Sequence, residues 1–333
     1  MVVFTVLLQG HAPAQVLPPV DVLQSVDGLP PHIVGRFGDP AAFEQAADGA
    51  WFVFDRRGHT VYRVTPDRSA SAPVVAIGQE LGRILRPFGF ELGTGEFAVA
   101  DAPDASGARV QLFTLSGSRL GAFRLPGPAE GRVQLDGVVL NGVGTMRFTP
   151  ARTIVVSRPE SGALITEHDV QGRALRSIGT LRTTPHDSDP ELKLAFNSGL
   201  PVPTSDGGFY FVFQTGEPRF RRYDAKGALL YERVIQGLEL DPIVLTQPTT
   251  WPRHAVRPGV EIPLVRPVVR TAALDRAGRL WIGFTIPYAY VYQDGEKVRT
   301  VQFRAAGLIT PTSLSFTSDG RLLVTPGCYV FRP

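Results

Sequence analysis

The chain has 333 residues, of which 43% are hydrophobic and 20% charged, a globular composition. Its net charge of +3 comes without any run of lysine and arginine, which argues against a nucleic-acid-binding protein. No segment beyond the N-terminus has the ~20 consecutive apolar residues of a membrane-spanning helix, so no membrane span is predicted. The single cysteine, Cys328, cannot form an internal disulfide, and we expect a buried structural thiol.

The N-terminal segment has the pattern of an export signal. Residues 2–8 are apolar, and residues 12–14 (Ala-Pro-Ala) form the small-x-small pattern that signal peptidase cleaves. The basic residues that normally precede such a run are missing, which suggests a truncated signal. We therefore predict a signal peptide over residues 1–14, a linker over 15–30, and a secreted or periplasmic bacterial protein. The alternative is an ordinary first strand.

Along the rest of the chain, a tight turn followed by a strongly apolar strand recurs six times. The turns are rich in Gly, Asp and Pro, beginning with Asp48-Gly49 and ending with Asp319-Gly320. Strands that are apolar on both faces are typical of those sandwiched between neighbouring sheets. We predict these buried strands at residues 51–54, 97–100, 154–156, 209–213, 280–282 and 322–324.

A second hairpin follows the buried strand and alternates polar with apolar residues, as a half-solvated outer edge does. Each unit then has four antiparallel strands, and radial repetition of such sheets makes a β-propeller. No long stretch has helical periodicity, so an all-β fold is predicted. The clearest first strands of these outer hairpins are residues 61–64, 110–113, 164–167, 220–223 and 290–292.

The two ends of the chain are predicted to meet. The sixth unit ends at Phe331, after its third strand, and residues 33–38 have the pattern of an outermost strand. Pairing the two would complete the last blade and remove an open sheet edge. The predicted fold is therefore an all-β, six-bladed β-propeller over residues 31–333, with four-stranded antiparallel blades and a last blade closed by an N-terminal strand.

Two hairpins carry a family resemblance. Residues 271–282 (TAALDRAGRLWI) and 313–324 (SLSFTSDGRLLV) resemble the first hairpin of NHL-type and TolB-like six-bladed propellers. The resemblance covers residues 31–333 and concerns the fold rather than a specific function. It implies a six-fold funnel around a central channel, which such proteins use for binding and occasionally for catalysis.

An enzymatic alternative is a calcium-dependent lactonase or hydrolase, similar to the gluconolactonase and paraoxonase propellers. Those proteins place Glu, Asn and Asp at the starts of the innermost strands, where oxygen ligands hold a cation that polarises a carbonyl. Here only Glu44 and Asn197 fall near such positions. Arg86, Arg147 and Arg270 are expected near the channel mouth instead and would repel a divalent cation. We therefore predict no metal site and no cofactor, and we assign no catalytic residue.

Two insertions, residues 180–197 and 236–267, interrupt the repeat. The second contains six prolines together with Trp251, Arg253 and His254. Binding residues concentrate on long loops of rigid scaffolds, and proline lowers the cost of ordering such a loop. An exposed tryptophan beside Arg and His would anchor an aromatic, sugar or anionic ligand. The alternative is a packed connection between blades, with Trp251 buried.

The sequence favours a non-catalytic ligand- or protein-binding propeller, with its site at the channel mouth under the 236–267 loop. The expected ligand is a small anion, a glycan or a peptide, and the expected state is a monomer. One alternative is a propeller hydrolase or lactonase, which three or more converging carboxylate or amide oxygens would favour. Another is a rim-mediated protein-interaction scaffold, which an exposed apolar patch would favour. The predicted ligand-binding residues are Arg86, Arg147, Arg270, Trp251, Arg253 and His254.

Overall fold

The computed structural model describes residues 19–104, 107–126, 131–135, 138–139, 145–305, 307–308 and 310–333, and the predicted signal peptide lies outside them. The regular structure is mostly β, as predicted. None of the helices in the described part of the chain has the length and apolar character needed to cross a membrane. The strands are β1 Val20–Gly28, β2 Pro40–Gln45, β3 Trp51–Asp55, β4 Thr60–Val64, β5 Ser71–Val75, β6 Pro87–Leu92, β7 Glu96–Asp104, β8 Gly107–Thr114, β9 Arg119–Arg124, β10 Gln134–Leu135, β11 Val138–Val139, β12 Met146–Phe148, β13 Ile154–Val156, β14 Ala163–His168, β15 Ala174–Thr180, β16 Gly199–Pro203, β17 Phe209–Phe213, β18 Arg219–Tyr223, β19 Leu229–Val234, β20 Arg253–Arg257, β21 Val260–Pro263, β22 Val269–Leu274, β23 Leu280–Phe284, β24 Tyr288–Gln293, β25 Glu296–Arg304, β26 Ser313–Phe316, β27 Leu322–Thr325 and β28 Tyr329–Phe331. The α-helices are α1 Pro31–Val34, α2 Pro190–Phe196 and α3 Asp241–Leu245, and a 3₁₀ turn covers Pro159–Ser161.

The main sheets are built from strands that are neighbours both in sequence and in space. The strands β2–β5, β6–β9, β12–β15 and β16–β19 form four separate antiparallel sheets. The strands β22–β25 and β26–β28 are joined through β1 into one eight-stranded sheet, in the order β22-β23-β24-β25-β1-β28-β27-β26. Two short hairpins, β10–β11 and β20–β21, lie in the connections between sheets.

The N-terminal strand that closes the structure is β1, and not residues 33–38 as the sequence pattern predicted. It pairs antiparallel with β28 and parallel with β25, so it covers two sheet edges at once. Residues 31–34 form helix α1 instead, because Pro31 has the fixed φ that suits a helix start. The predicted linker over residues 15–30 therefore contains a strand. Side chains of β1 are exposed or half-buried, so backbone pairing rather than an apolar pattern fixes its position.

The hydrophobic core lies between the sheets. Every residue of β3, β17 and β23, the second strands of their units, is buried. Aromatic rings contact each other across the interface of the first two sheets, where the ring centroids of Phe52 and Phe97, and of Phe54 and Phe90, lie 5.7 Å apart. Cys328 is buried and free, as predicted, and burial raises the pKa of its thiol. This packing makes a rigid frame for the inner strands.

The first strand of each unit faces a common central cavity, and β2, β6, β12, β16, β22 and β26 all contribute to its wall. Three of these strands, β2, β6 and β22, share a bulge near their starts, at Ala41, Phe88 and Arg270. A bulge redirects the side chain of the extra residue. Arg270 therefore lies at a bulge of β22, beside the central cavity.

Candidate ligand site in the central cavity

The central cavity has a volume of about 260 Å³ and a wall of mostly small and apolar residues. Four charged side chains interrupt this wall, and each comes from a different inner strand: Glu44 from β2, Glu91 from β6, Arg147 from β12 and Arg270 from β22. Charged groups in such a setting are poorly solvated, so their partners decide what the cavity can bind.

Arg270 is buried, and two of its three guanidinium nitrogens have no hydrogen-bond partner among the described residues. The residue is 5% exposed, and its Nε and Nη1 atoms have no hydrogen-bond acceptor among the described residues. The nearest charges are Arg56 and Asp39, which bind each other with Nη2 and Oδ2 2.6 Å apart. Burial, helped by the positive charge of Arg56 and opposed by Asp39, lowers the pKa of Arg270 to about 10. An anion would supply the missing acceptor.

Arg147 binds one of the two carboxyl groups of the cavity and acts on the other through its charge. Arg147 Nη1 donates to Glu91 Oε2 at 2.7 Å, and the backbone N–H of Leu92 donates to Glu44. Burial and the nearby charge of Glu91 raise the pKa of Glu44 well above 4.5, against the opposing effect of Arg147. Burial raises the pKa of Glu91 less, because Arg147 binds it directly. Glu91 is paired with Arg147, whereas Nε and Nη1 of Arg270 have no acceptor among the described residues.

Comparisons with known proteins identify the architecture. No family model and no curated protein matches the sequence. Streptogramin B lyase has a similar structure, with a TM-score of 0.51 at 12% identity over 87% of this chain and 76% of that one. Catalytically inactive virginiamycin B lyase from Staphylococcus aureus with quinupristin gives 0.54 at 10% identity over 86% and 77%. A putative oxidoreductase (glucose dehydrogenase) from Thermus thermophilus gives 0.52 at 13% identity over 93% and 98%.

The fold is a β-propeller. At these identities the similarity establishes the fold of the chain and nothing about its ligand. The function must therefore be argued from the site of this propeller itself.

The propeller divides the six predicted ligand-binding residues among three places. Arg147 and Arg270 line the central cavity together. Arg86 lines a second cavity, and its Nε donates to the carbonyl of Ala102 at 2.8 Å. The remaining three, Trp251, Arg253 and His254, line neither cavity.

Trp251 belongs to a packed connection, the alternative that the sequence left open. Its ring centroid lies 4.9 Å from that of His186, which precedes helix α2, and 5.3 Å from that of Phe196, the last residue of that helix. Arg253 forms an ion pair with Asp189 at the start of the same helix. The two insertions therefore pack against each other. No local sequence signal gives this arrangement, because the two partners are about 60 residues apart in the chain.

Asn197, a possible metal ligand by its position in the sequence, has a structural role. It is fully buried, its Oδ1 accepts from the backbone N–H of Arg182 at 2.8 Å, and its Nδ2 donates to the carbonyls of Arg182 and Lys193. In the described residues, no three His, Cys, Asp or Glu side chains are grouped to hold a metal ion. The central cavity brings together two carboxyl groups, Glu44 and Glu91, and Arg147 binds the second of them.

Proposed function

We propose that this propeller is a non-catalytic binding protein that takes up a small anionic ligand in its central cavity. The observation that supports this is the buried guanidinium of Arg270, with two nitrogens that lack an acceptor in the described residues. A guanidinium pairs best with carboxylate, sulfate or phosphate oxygens, and such bonds are strong when they are shielded from water. The volume of about 260 Å³ limits the ligand to a small molecule or a small terminal group.

We further propose six blades of the NHL or TolB-like type. Six inner strands surround one cavity, and the eight-stranded sheet can be divided beside β1 into two four-stranded halves. Export to the periplasm or the exterior, a signal peptide over residues 1–14, and a monomeric state are proposals that rest on the sequence alone. Detection of the mature N-terminus by mass spectrometry, in protein expressed from its natural host, tests the export signal.

A hydrolase remains the second candidate, and Glu44 and Glu91 favour it. Two neighbouring carboxyl groups with different proton affinities are the arrangement that general acid–base catalysis uses. Similar structures include lyases and a putative oxidoreductase, so the fold accommodates catalysis. Turnover of lactone or ester substrates that disappears in Glu44→Gln would support this candidate over binding alone. The scaffold alternative has a weaker basis in the exposed Leu229 and Leu230 of the outer strand β19.

The binding proposal is tested by thermal unfolding with acetate, citrate, sulfate and phosphate. A ligand that binds the folded state at 100 times its Kd adds about 2.7 kcal/mol of stability, or roughly 4 °C for a chain of this size. We expect at least one of these anions to raise the Tm of the wild type and of Arg119→Met, which removes an exposed arginine of β9. The response should be lost in Arg270→Met. A full response in Arg270→Met would show that the anion binds elsewhere.

A further inference from the structure

A second cavity, of about 450 Å³, lies at the end of the sheets where the inner strands begin. We call it the loop cavity. Its wall comes from the β3–β4 turn, the start of β6, strands β7 and β8, the connections after β9, β13 and β17, and the starts of β12 and β16. It shares no lining residue with the central cavity. Its volume falls within the ~300–1,000 Å³ of small-molecule sites, so it accommodates a larger ligand than the central cavity does.

One side of the loop cavity is apolar. Leu125 and Val156 are each 3% exposed, and Phe88 and the prolines Pro87 and Pro159 complete this surface. Pro159 belongs to the 3₁₀ turn after β13, and the other four residues lie in strands or directly beside one. A wall of this kind takes up the hydrocarbon part of a ligand.

The other side presents polar atoms that lack partners. Gln214 is 1% exposed and Ser157 is 9% exposed, yet Gln214 Nε2 and Ser157 Oγ have no hydrogen-bond partner among the described residues. The same holds for Nδ1 of His59. The backbone of Gln214 is fixed, since its carbonyl accepts from the N–H groups of Val268 and Val269. Leaving such groups unsatisfied lowers the stability of the folded protein, and a bound ligand that supplies the missing partners would recover this loss.

The charge around the loop cavity is positive. Arg56, Arg86, Arg132 and Arg158 line it, and Glu160 is its one acidic lining residue in the described part of the chain. Glu160 is already bound by Arg132, which also donates to Glu191 at 2.8 Å. Burial lowers the pKa of Arg158, and the neighbouring charge of Arg132 acts in the same direction. This positive field attracts an anion.

We propose that the loop cavity is a second, independent binding site for an amphipathic organic anion. The apolar body of the ligand packs against Phe88, Leu125 and Val156, and its carboxylate or sulfonate lies near Arg86. Gln214 and Ser157 bond to polar atoms along the body of the ligand. The site differs from the central cavity in the class of ligand that it binds, because its volume of about 450 Å³, against about 260 Å³, holds an apolar body together with the anionic group.

Anilinonaphthalene sulfonate is a suitable probe, because it joins an aromatic body to a sulfonate and becomes fluorescent in apolar surroundings. We expect the folded wild type to bind one equivalent, with competition by naphthoate and none by acetate. Gln214→Leu keeps the volume of the side chain and removes the unpartnered donor, while Arg86→Ala removes an exposed charge at the rim. Each substitution should raise the Kd of the probe about tenfold. The control Arg119→Ala should leave this Kd unchanged.

The two sites are separated by crossing the variants. Arg270→Met should abolish the rise in Tm with small oxyanions and leave the Kd of the probe unchanged. Arg86→Ala should keep the rise in Tm with small oxyanions and raise the Kd of the probe. Absence of probe binding to the folded wild type, or an unchanged Kd in both Gln214→Leu and Arg86→Ala, would overturn the loop-cavity site. Loss of probe binding in Arg270→Met would place the probe in the central cavity and would also overturn the loop-cavity site. A melting curve of each variant confirms that it is folded, and Arg86→Ala keeps the test valid if Gln214→Leu does not fold.

Discussion

Replacing Arg270 with methionine should stabilise the ligand-free propeller. Burial lowers the pKa of Arg270 to about 10, a shift that at about 1.4 kcal/mol per pH unit amounts to roughly 3 kcal/mol against the charged form. Methionine fills a similar space without a charge, and replacing buried ionic groups by apolar ones of similar volume often stabilises by about 1–4 kcal/mol. Part of the gain is lost to imperfect packing, so we expect about 1–3 kcal/mol.

The matched control is the same substitution at Arg109, another buried arginine. Its Nε and Nη2 donate to the two carboxylate oxygens of Asp101 at 2.7 and 2.9 Å, and Nη1 donates to the carbonyl of Gln79. Arg109→Met would leave the fully buried Asp101 without its cation, which costs about 3–5 kcal/mol. Two identical substitutions at buried arginines should therefore change stability in opposite directions.

Urea unfolding near pH 7, in a buffer free of sulfate, phosphate and carboxylates, measures both effects. Thermal unfolding gives a second reading, in which 1 kcal/mol corresponds to roughly 1.5 °C for a chain of this length. The Tm should rise by about 1.5–4.5 °C in Arg270→Met and fall in Arg109→Met. If both variants lose several kcal/mol, Arg270 has a partner in the folded protein, and the argument for an anion site at that residue fails.

Three further predictions concern other parts of the molecule. Because burial raises the pKa of Glu44 on folding, the contribution of this residue to stability should fall as the pH rises above about 4.5. The free energy of unfolding of Glu44→Gln, measured by urea titration, should then increase relative to that of the wild type by up to about 1.4 kcal/mol per pH unit. A difference that does not change with pH would contradict this. A chain that starts at Leu29 lacks β1 and should unfold at a lower urea concentration and aggregate. A chain that starts at Gln15 should be as stable as the full chain. If the chain that starts at Leu29 were also as stable, the closing role of β1 would be refuted. Trp251→Ala removes the ring that packs on His186 and should cost about 2–4 kcal/mol in the same assay, while a loss below 0.5 kcal/mol would mean that the two insertions are not packed together.

The repeated strands could be predicted because their signal is local. The apolar runs 51–54, 209–213 and 280–282 coincide with β3, β17 and β23, and each is bounded by the turn residues that define it. The closing strand could not be predicted in the same way. β1 is paired on both sides at the outer surface, so its side chains need no apolar pattern, and the apolar pair Ile33-Val34 gave a false signal.

The candidate site was predictable only where it follows the repeat. Arg147 and Arg270 share a cavity because they occupy inner strands, and the repeat already indicated those strands. The contact between Arg147 and Glu91 joins residues 56 positions apart, and no spacing rule gives it. The loop cavity was missed for the same reason, since its wall is assembled from connections of several sheets.

Buried arginines of this propeller differ in how well their guanidinium groups are satisfied. Arg182 illustrates this, because burial also lowers its pKa to about 10, yet its nitrogens donate to the carbonyls of Phe196, Thr215 and Glu217. Arg270 and Gln214 are as deeply buried and lack such acceptors within the described residues, and both lie beside a cavity. Natural proteins keep few unsatisfied buried groups, because each lowers stability. Their position beside two separate cavities is the observation on which the two binding proposals rest.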